Sequence, residues 1–173
     1  MSDDEDRDVE EGDGEPFRLL FVCTGNTCRS PMAEVLARSA LKQRGWREVE
    51  VRSSGVAAMP GLPASPGAVR AAERRDLSLR HHGSRPLDVG EVERADLILT
   101  MSPLHLEQVR ELGGEGKGAL ITAFARGEEE RSEELKGVVD PVGGGDEVYE
   151  EVCRELEELL EGVLARLEPV LKP

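Results

Sequence analysis

The run Arg18-Leu19-Leu20-Phe21-Val22-Cys23 passes directly into a glycine-bearing loop and then into Ser30-Pro31. A short unbroken apolar run is the pattern of a strand buried on both faces, and such strands belong to parallel sheets. Ser suits a helix cap, Pro suits the first turn, and Glu34 lies near the positive end of the helix that follows. Apolar Met32, Val35, Leu36, Ala40 and Leu41 recur at helical spacing to about Arg44, where Gly45 stops the helix. A buried strand, a tight loop and a helix make the first half of a strand–helix–strand unit, which constrains everything downstream.

The rest of the chain keeps the alternation. Val49–Ser53 reads as a second strand, and Ser65-Pro66 starts a helix to about Arg75. A short helix fits Val89 to Ala95, and Ala95–Met101 is a third, buried strand. Ser102-Pro103 starts a further helix ending near Gly113-Gly114, and Ala119–Thr122 is a fourth strand. Residues 125–139 read as acidic and irregular. A long last helix starts near Asp146, which is placed to cap it, and Pro169 closes it. Val148, Val152, Leu156, Leu159, Leu160, Val163 and Leu167 form its apolar face. The expected fold is α/β: a three-layer α/β/α domain with a four-stranded parallel sheet and about five helices, joined by right-handed crossovers. Ligands in such sheets bind beyond the carboxyl ends of the strands, where the loop after Cys23 sits.

The 173 residues fit one ordinary domain. The net charge is -14, and residues 1–15 hold nine acids and one Arg, so that segment carries -8 and the remainder -6. An acidic segment with almost nothing to bury is expected to be a disordered, solvated tail, leaving 16–173 as the folded domain. A tail folded over an anion-binding loop as a carboxylate mimic is the alternative. No basic stripe marks a nucleic-acid partner, and no apolar span marks a membrane segment. Three cysteines, Cys23, Cys28 and Cys153, are too few for a disulfide scaffold, so a cytoplasmic protein with reduced thiols is expected.

Nucleotide loops of the G-x-x-x-x-G-K-[ST] and G-x-G-x-x-G types are absent. What stands here is Cys, five residues, then Arg. A loop of that length can curl so that its backbone N–H groups converge on an anion, and the following helix aims its positive end at the same point. Gly25 and Asn26 tolerate left-handed backbone. Thr24, Gly25, Asn26, Thr27, Cys28, Arg29 and Ser30 are therefore the candidate phosphate-binding residues, with Arg29 able to grip two oxygens at once. Cys23 lies at the base of the nest, where the thiolate is favoured and can attack phosphorus. Ser30 can donate to the sulfur. A leaving group needs a proton, and Asp140 is the candidate acid, with Pro141 stiffening the chain after it and Val138-Val139 available to desolvate it. An ordinary Asp-Pro turn is the other reading of that pair.

Cys23 and Cys28 share the loop, so a reversible redox disulfide between them is one expectation and a space-filling Cys28 the other. Cys23, Cys28, His81 and His82 supply zinc-ligand types, but the spacing is poor for zinc, and no metal or cofactor is expected. His81-His82 fits a loop that orders neighbouring backbone. His105 is expected at the surface, and Cys153 in the core.

Phe21–Glu34, with Cys23-Thr24-Gly25-Asn26-Thr27-Cys28-Arg29-Ser30 at its centre, resembles the signature of the low-molecular-weight protein tyrosine phosphatases. Ser53-Ser54-Gly55, His82–Leu87, Ala95–Met101 and Asp140-Pro141 continue the resemblance over roughly residues 17–165. It implies a four-stranded parallel sheet, a phosphocysteine mechanism and phosphorylated protein substrates. The roles it implies are Cys23 as nucleophile, Arg29 as phosphate ligand, Asp140 as general acid, and Asn26 and Ser30 as loop and thiolate supports. Tyrosine-specific members usually carry Ile or Leu where this chain has Thr27, whereas the bacterial protein-arginine-phosphatase branch shares Thr there. Members of that branch follow Asp-Pro with an aromatic and two glycines; this chain has Val142 in the aromatic position and keeps the glycines. Phosphoarginine is the favoured substrate, phosphotyrosine the alternative. Arsenate reductases on this scaffold need a further cysteine pair, and no Cys lies between Cys28 and Cys153. The protein is expected to act as a monomer.

Overall fold

The computed structural model describes residues 14–171. Strand β1 (Phe17–Cys23) is buried from Leu19 onward and pairs in parallel on both sides. Its neighbours are β2 (Val49–Gly55) and β3 (Leu97–Thr100), and β4 (Gly118–Leu120) completes the order β2-β1-β3-β4. Alternation along β1 splits the core in two. Leu19, Phe21 and Cys23 enter the larger apolar cluster, while Leu20 and Val22 enter a smaller one with Val92, Ile98 and Val109. Helices α1 (Arg29–Gln43), α2 (Pro66–Glu73), α5 (Ile121–Arg126) and α6 (Asp146–Leu171) contribute to the larger cluster. Helices α3 (Val89–Arg94) and α4 (Pro103–Val109) cover the other face. The architecture is the expected three-layer α/β/α domain.

The chain departs from its sequence pattern in local ways. Among the described residues there are six α-helices rather than about five, because α5 takes Ile121 and Thr122 out of the fourth strand. Gly127, at a φ of 70°, ends that helix, and a 3-10 turn at Glu129–Arg131 follows, so residues 125–139 are not wholly irregular. Pro169 does not close α6; the helix runs on to Leu171, since a proline removes one N–H bond without requiring the last turn to open. Asp146 is the first residue of α6, and its carboxylate pairs with Arg70 and Arg74 of α2. Val148 is only half-buried; Tyr149 and Cys153 turn inward beside the expected apolar residues. Burial pushes the Cys153 thiol up to about 11. Residues 1–13 of the expected acidic tail lie outside the described residues.

Because β2 lies on one side of β1 and β3 on the other, the chain reverses direction across the sheet at β1. The carboxyl end of β1 is therefore a switch point, open between the connections that leave β1 and β3.

Candidate active site

Cys23 is the last residue of β1, in register with Gly55 of β2. Its Sγ lies 2.9 Å from the hydroxyl of Ser30, in the first turn of α1. Helix α1 starts at Arg29, and Ser30 does not cap it, because its oxygen is engaged by Cys23 and by the Asn26 amide at 2.8 Å. The backbone N–H groups of residues 25–28 find no acceptor among the described residues. Four such donors beside a thiol and the positive end of a 15-residue helix form a site for an anion.

Asn26 is the keystone of the curl. It is fully buried, and its φ of 54° makes it the residue of the loop in the left-handed region; Gly25 does not adopt it. Its Nδ2 donates to Ser30 and, at 2.9 Å, to Ser53. Its Oδ1 accepts from the Arg85 N–H at 2.9 Å, and its carbonyl meets Nε2 of His82 at 2.7 Å. Gly55 completes the support: a Cβ there would stand 2.5 Å from the Thr24 carbonyl, so only glycine lets β2 approach the loop.

Arg29 is buried to 6% exposure. Its Nη1 donates to the Val138 carbonyl at 3.0 Å, and its Nη2 lies 3.4 Å from the Thr24 hydroxyl and 3.6 Å from Oδ2 of Asp140. Asp140, more than a hundred residues away in sequence, is thus brought to the phosphate loop. Of the two valines before it only Val138 is buried; Val139 is 63% exposed and the Asp140 side chain 48%, so the valines do not enclose the acid as expected. The Val138 backbone is held from both sides, its N–H by the Met101 carbonyl and its C=O by Arg29, and this turns the next two side chains outward.

His105 is not a surface residue. It is 4% exposed, in the first turn of α4, with Nε2 2.9 Å from the Thr24 hydroxyl. Burial, and then the nearby Arg29 charge, lower its pKa to about 4, so the imidazole is neutral at neutral pH. The surface expectation failed because the neighbouring strands β1 and β3 bring the start of α4 against the loop, a relation no local pattern carries. Ser53, Ser65 and Tyr149 also support the loop without having been singled out for it. Tyr149 had a signal, since Tyr149, Val152, Cys153 and Leu156 share one helical face. His82 contacts the loop, whereas His81 is exposed. Among the described residues no group of three or more His, Cys, Asp or Glu side chains could hold a metal ion, and no helix is long and apolar enough to cross a membrane. The three cysteines are free thiols.

Residues 18–171 match the family model described as low molecular weight phosphotyrosine protein phosphatase. The chain belongs to this family. A protein-arginine-phosphatase of Bacillus subtilis (strain 168) is 39% identical over 149 residues, which cover 86% of this chain and 95% of that protein. The low molecular weight protein-tyrosine-phosphatase Wzb of Escherichia coli (strain K12) is 39% identical over 103 residues, 60% of this chain and 67% of that one. Among solved structures, a YwlE mutant from Bacillus subtilis superposes with a TM-score of 0.80 at 36% identity, covering 88% of this chain and 99% of that chain. As a family member the chain is a phosphatase.

Proposed function

We propose that this family phosphatase hydrolyses phosphorylated protein side chains through a phosphocysteine on Cys23, and that phosphoarginine is its preferred substrate. The observation that carries the mechanism is the Cys23 sulfur held by Ser30 at 2.9 Å beside four loop N–H groups that find no acceptor among the described residues. In the first step the thiolate attacks phosphorus and the bond from phosphorus to the side-chain nitrogen breaks, with Asp140 giving its proton to the departing guanidine. In the second, the Asp140 carboxylate takes a proton from water as that water attacks phosphorus. The phosphorus–sulfur bond breaks, phosphate leaves, and the thiolate returns with Ser30 donating to it. Arg29 and the loop N–H groups neutralise the transferring phosphoryl oxygens throughout.

Thr27 supports phosphoarginine: it is half-buried at the loop edge, where its hydroxyl suits a polar substrate group. The similarity to the Bacillus protein-arginine-phosphatase points the same way. Phosphotyrosine is the second reading, favoured by the similarity to Wzb. Against it, the loop after Asp140 offers Val142 and three glycines, with no ring to stack on a tyrosine. The deciding measurement is kcat/KM on matched phosphoarginine and phosphotyrosine peptides. A wild-type preference for phosphotyrosine rejects the arginine assignment. Cys23→Ser should abolish turnover while still binding vanadate. We also read Cys23 and Cys28 as a pair that oxidant joins reversibly.

A further inference from the structure

The second cysteine of the loop sits among hydroxyls that the chemistry above leaves unused. The Cys28 Sγ lies 2.7 Å from Oγ of Ser65, 3.5 Å from the Tyr149 hydroxyl and 3.7 Å from Oγ1 of Thr27. Ser65 also reaches the Thr27 carbonyl twice, from its hydroxyl at 3.1 Å and from its backbone N–H at 2.9 Å. The protons of this cluster can be assigned one by one. A carbonyl only accepts, so the Ser65 hydroxyl donates to Thr27. The Ser65 oxygen is then free to accept, and the neighbour with a proton to give is the Cys28 thiol. The sulfur lone pairs are left for Tyr149 and Thr27. Tyr149 is buried, burial raises its pKa, and it remains a protonated donor. In this arrangement each hydroxyl and the thiol gives its proton once.

The two partners are themselves fixed by backbone. The ring of Tyr149 lies so close to Gly67, in the first turn of α2, that a Cβ there would overlap it. Asp146, three residues before Tyr149, pairs with Arg70 at 2.8 Å and Arg74 at 3.1 Å. Helices α2 and α6 thus meet as a clamp whose polar tips, Ser65 and Tyr149, close on one sulfur. The clamp acts on Thr27 and Cys28, whereas Ser53, His82 and Arg85 hold Asn26.

We propose that Ser65 and Tyr149 are positioning residues of this phosphatase: through the Cys28 thiol they set the carbonyl and hydroxyl of Thr27, and so the edge of the phosphate loop that selects the phosphorylated side chain. The selection clause rests on the reading of Thr27 given above; the positioning clause does not. Both residues reach the loop through Cys28 and Thr27, and the chemistry proposed above gives neither a part.

The test uses the full chain with Ser65→Ala, Ser65→Thr and Tyr149→Phe, and reads two quantities that need no phosphopeptide. Calorimetry measures the affinity for inorganic phosphate. Iodoacetamide labelling under saturating phosphate, mapped by mass spectrometry, measures the exposure of Cys28. Losing one hydrogen bond in the clamp should weaken phosphate about fivefold in Ser65→Ala, with Ser65→Thr within about twofold of wild type. Cys28 labelling should rise about fivefold or more in Tyr149→Phe. An unchanged phosphate affinity in Ser65→Ala overturns the proposal, as does a Ser65→Thr as impaired as Ser65→Ala, since a filler of space would behave that way. Unchanged Cys28 labelling in Tyr149→Phe removes Tyr149 from it. The ratio of kcat/KM on phosphoarginine and phosphotyrosine peptides then tests selection, and should change in Ser65→Ala. If the wild type hydrolyses neither peptide, the substrate reading fails while the phosphate and labelling results still decide the positioning.

Discussion

Arg29 and Asp140 face each other across 3.6 Å, and the same guanidinium holds the backbone of Val138, two residues before the acid, at 3.0 Å. Arg29, to which the proposed mechanism gives phosphate binding, is therefore also the anchor of the segment that carries Asp140, to which it gives proton transfer. Substitution at the two positions should fail differently. Asp140→Asn should keep phosphate affinity but slow poor leaving groups by ~10²–10⁴, with a much smaller effect on p-nitrophenyl phosphate, whose leaving group needs little protonation. Arg29→Lys, which keeps the charge but loses the fork, should weaken inorganic phosphate at least about tenfold and slow all substrates. Steady-state kinetics with leaving groups of graded pKa, alongside phosphate titrations, separates the two.

Asn26 combines a left-handed backbone with three side-chain hydrogen bonds in a fully buried place. Asn26→Ala removes the bonds and leaves partners unsatisfied, and should cost about 3 kcal/mol in urea melts at roughly 1 kcal/mol per bond. Asn26→Gly keeps the backbone freedom and should cost less than the alanine variant. Equal costs would show that the bonds alone matter.

His105 makes stability depend on acid pH. Its pKa falls from the ordinary 6.5 to about 4 on folding. Above pH 6.5 the imidazole is neutral in both states and imposes no cost. Below it the unfolded chain takes up the proton first, so stability falls as pH drops from 6.5 toward 4 and then levels, by about 3 kcal/mol in all and about 2 kcal/mol by pH 5. His105→Gln should show a shallower loss of melting temperature between pH 7 and pH 5 than the wild type, whatever its stability at pH 7. Parallel curves would exclude the imidazole as the source.

Thr27 is half-buried in the loop, and Val142, two residues after Asp140, is 68% exposed. Thr27→Ile with Val142→Phe should supply an apolar edge and a stacking ring, and move the kcat/KM ratio toward phosphotyrosine by about tenfold, since an aromatic pair contributes ~0.5–1.5 kcal/mol beyond burial. Each single variant should move it less.

Oxidation gives a further check. On the proposed pairing, peroxide would convert the Cys23 thiolate to a sulfenic acid, and attack by the Cys28 sulfur would expel water and form the disulfide. Inactivation by peroxide should be reversed by dithiothreitol, with a loss of two hydrogens in the peptide holding both cysteines. Cys28→Ser should become irreversibly inactivated.

Much of this was legible along the chain, for reasons that can be named. The strands β1 and β3 and the helices α1 and α6 follow from apolar periodicity over a few residues. So does the site loop, since a buried strand, five residues and a helix start are neighbours in sequence. What misled was context. Ile121 and Thr122 read as strand because β-branched residues favour one, yet burial of Ile121, Thr122 and Ala123 holds them in α5. Ser30 read as a cap because Ser-Pro starts helices, yet its hydroxyl serves the loop instead, and the hydroxyl of Ser65, which stands before the start of α2 as expected, also turns to the loop.

Sequence alone brought the loop together: Cys23, Gly25, Asn26 and Arg29 lie within seven residues, and short-range backbone geometry curls them, though only the structure shows that Asn26 rather than Gly25 takes the left-handed turn. Only the tertiary structure decided what surrounds it. The order β2-β1-β3-β4 sets Ser53 on one side of the loop and His105 on the other, and the clamp of α2 on α6 delivers Tyr149 to Cys28. Those contacts join residues 27 to 121 positions apart, and no local pattern encodes which distant strand or helix will be the neighbour.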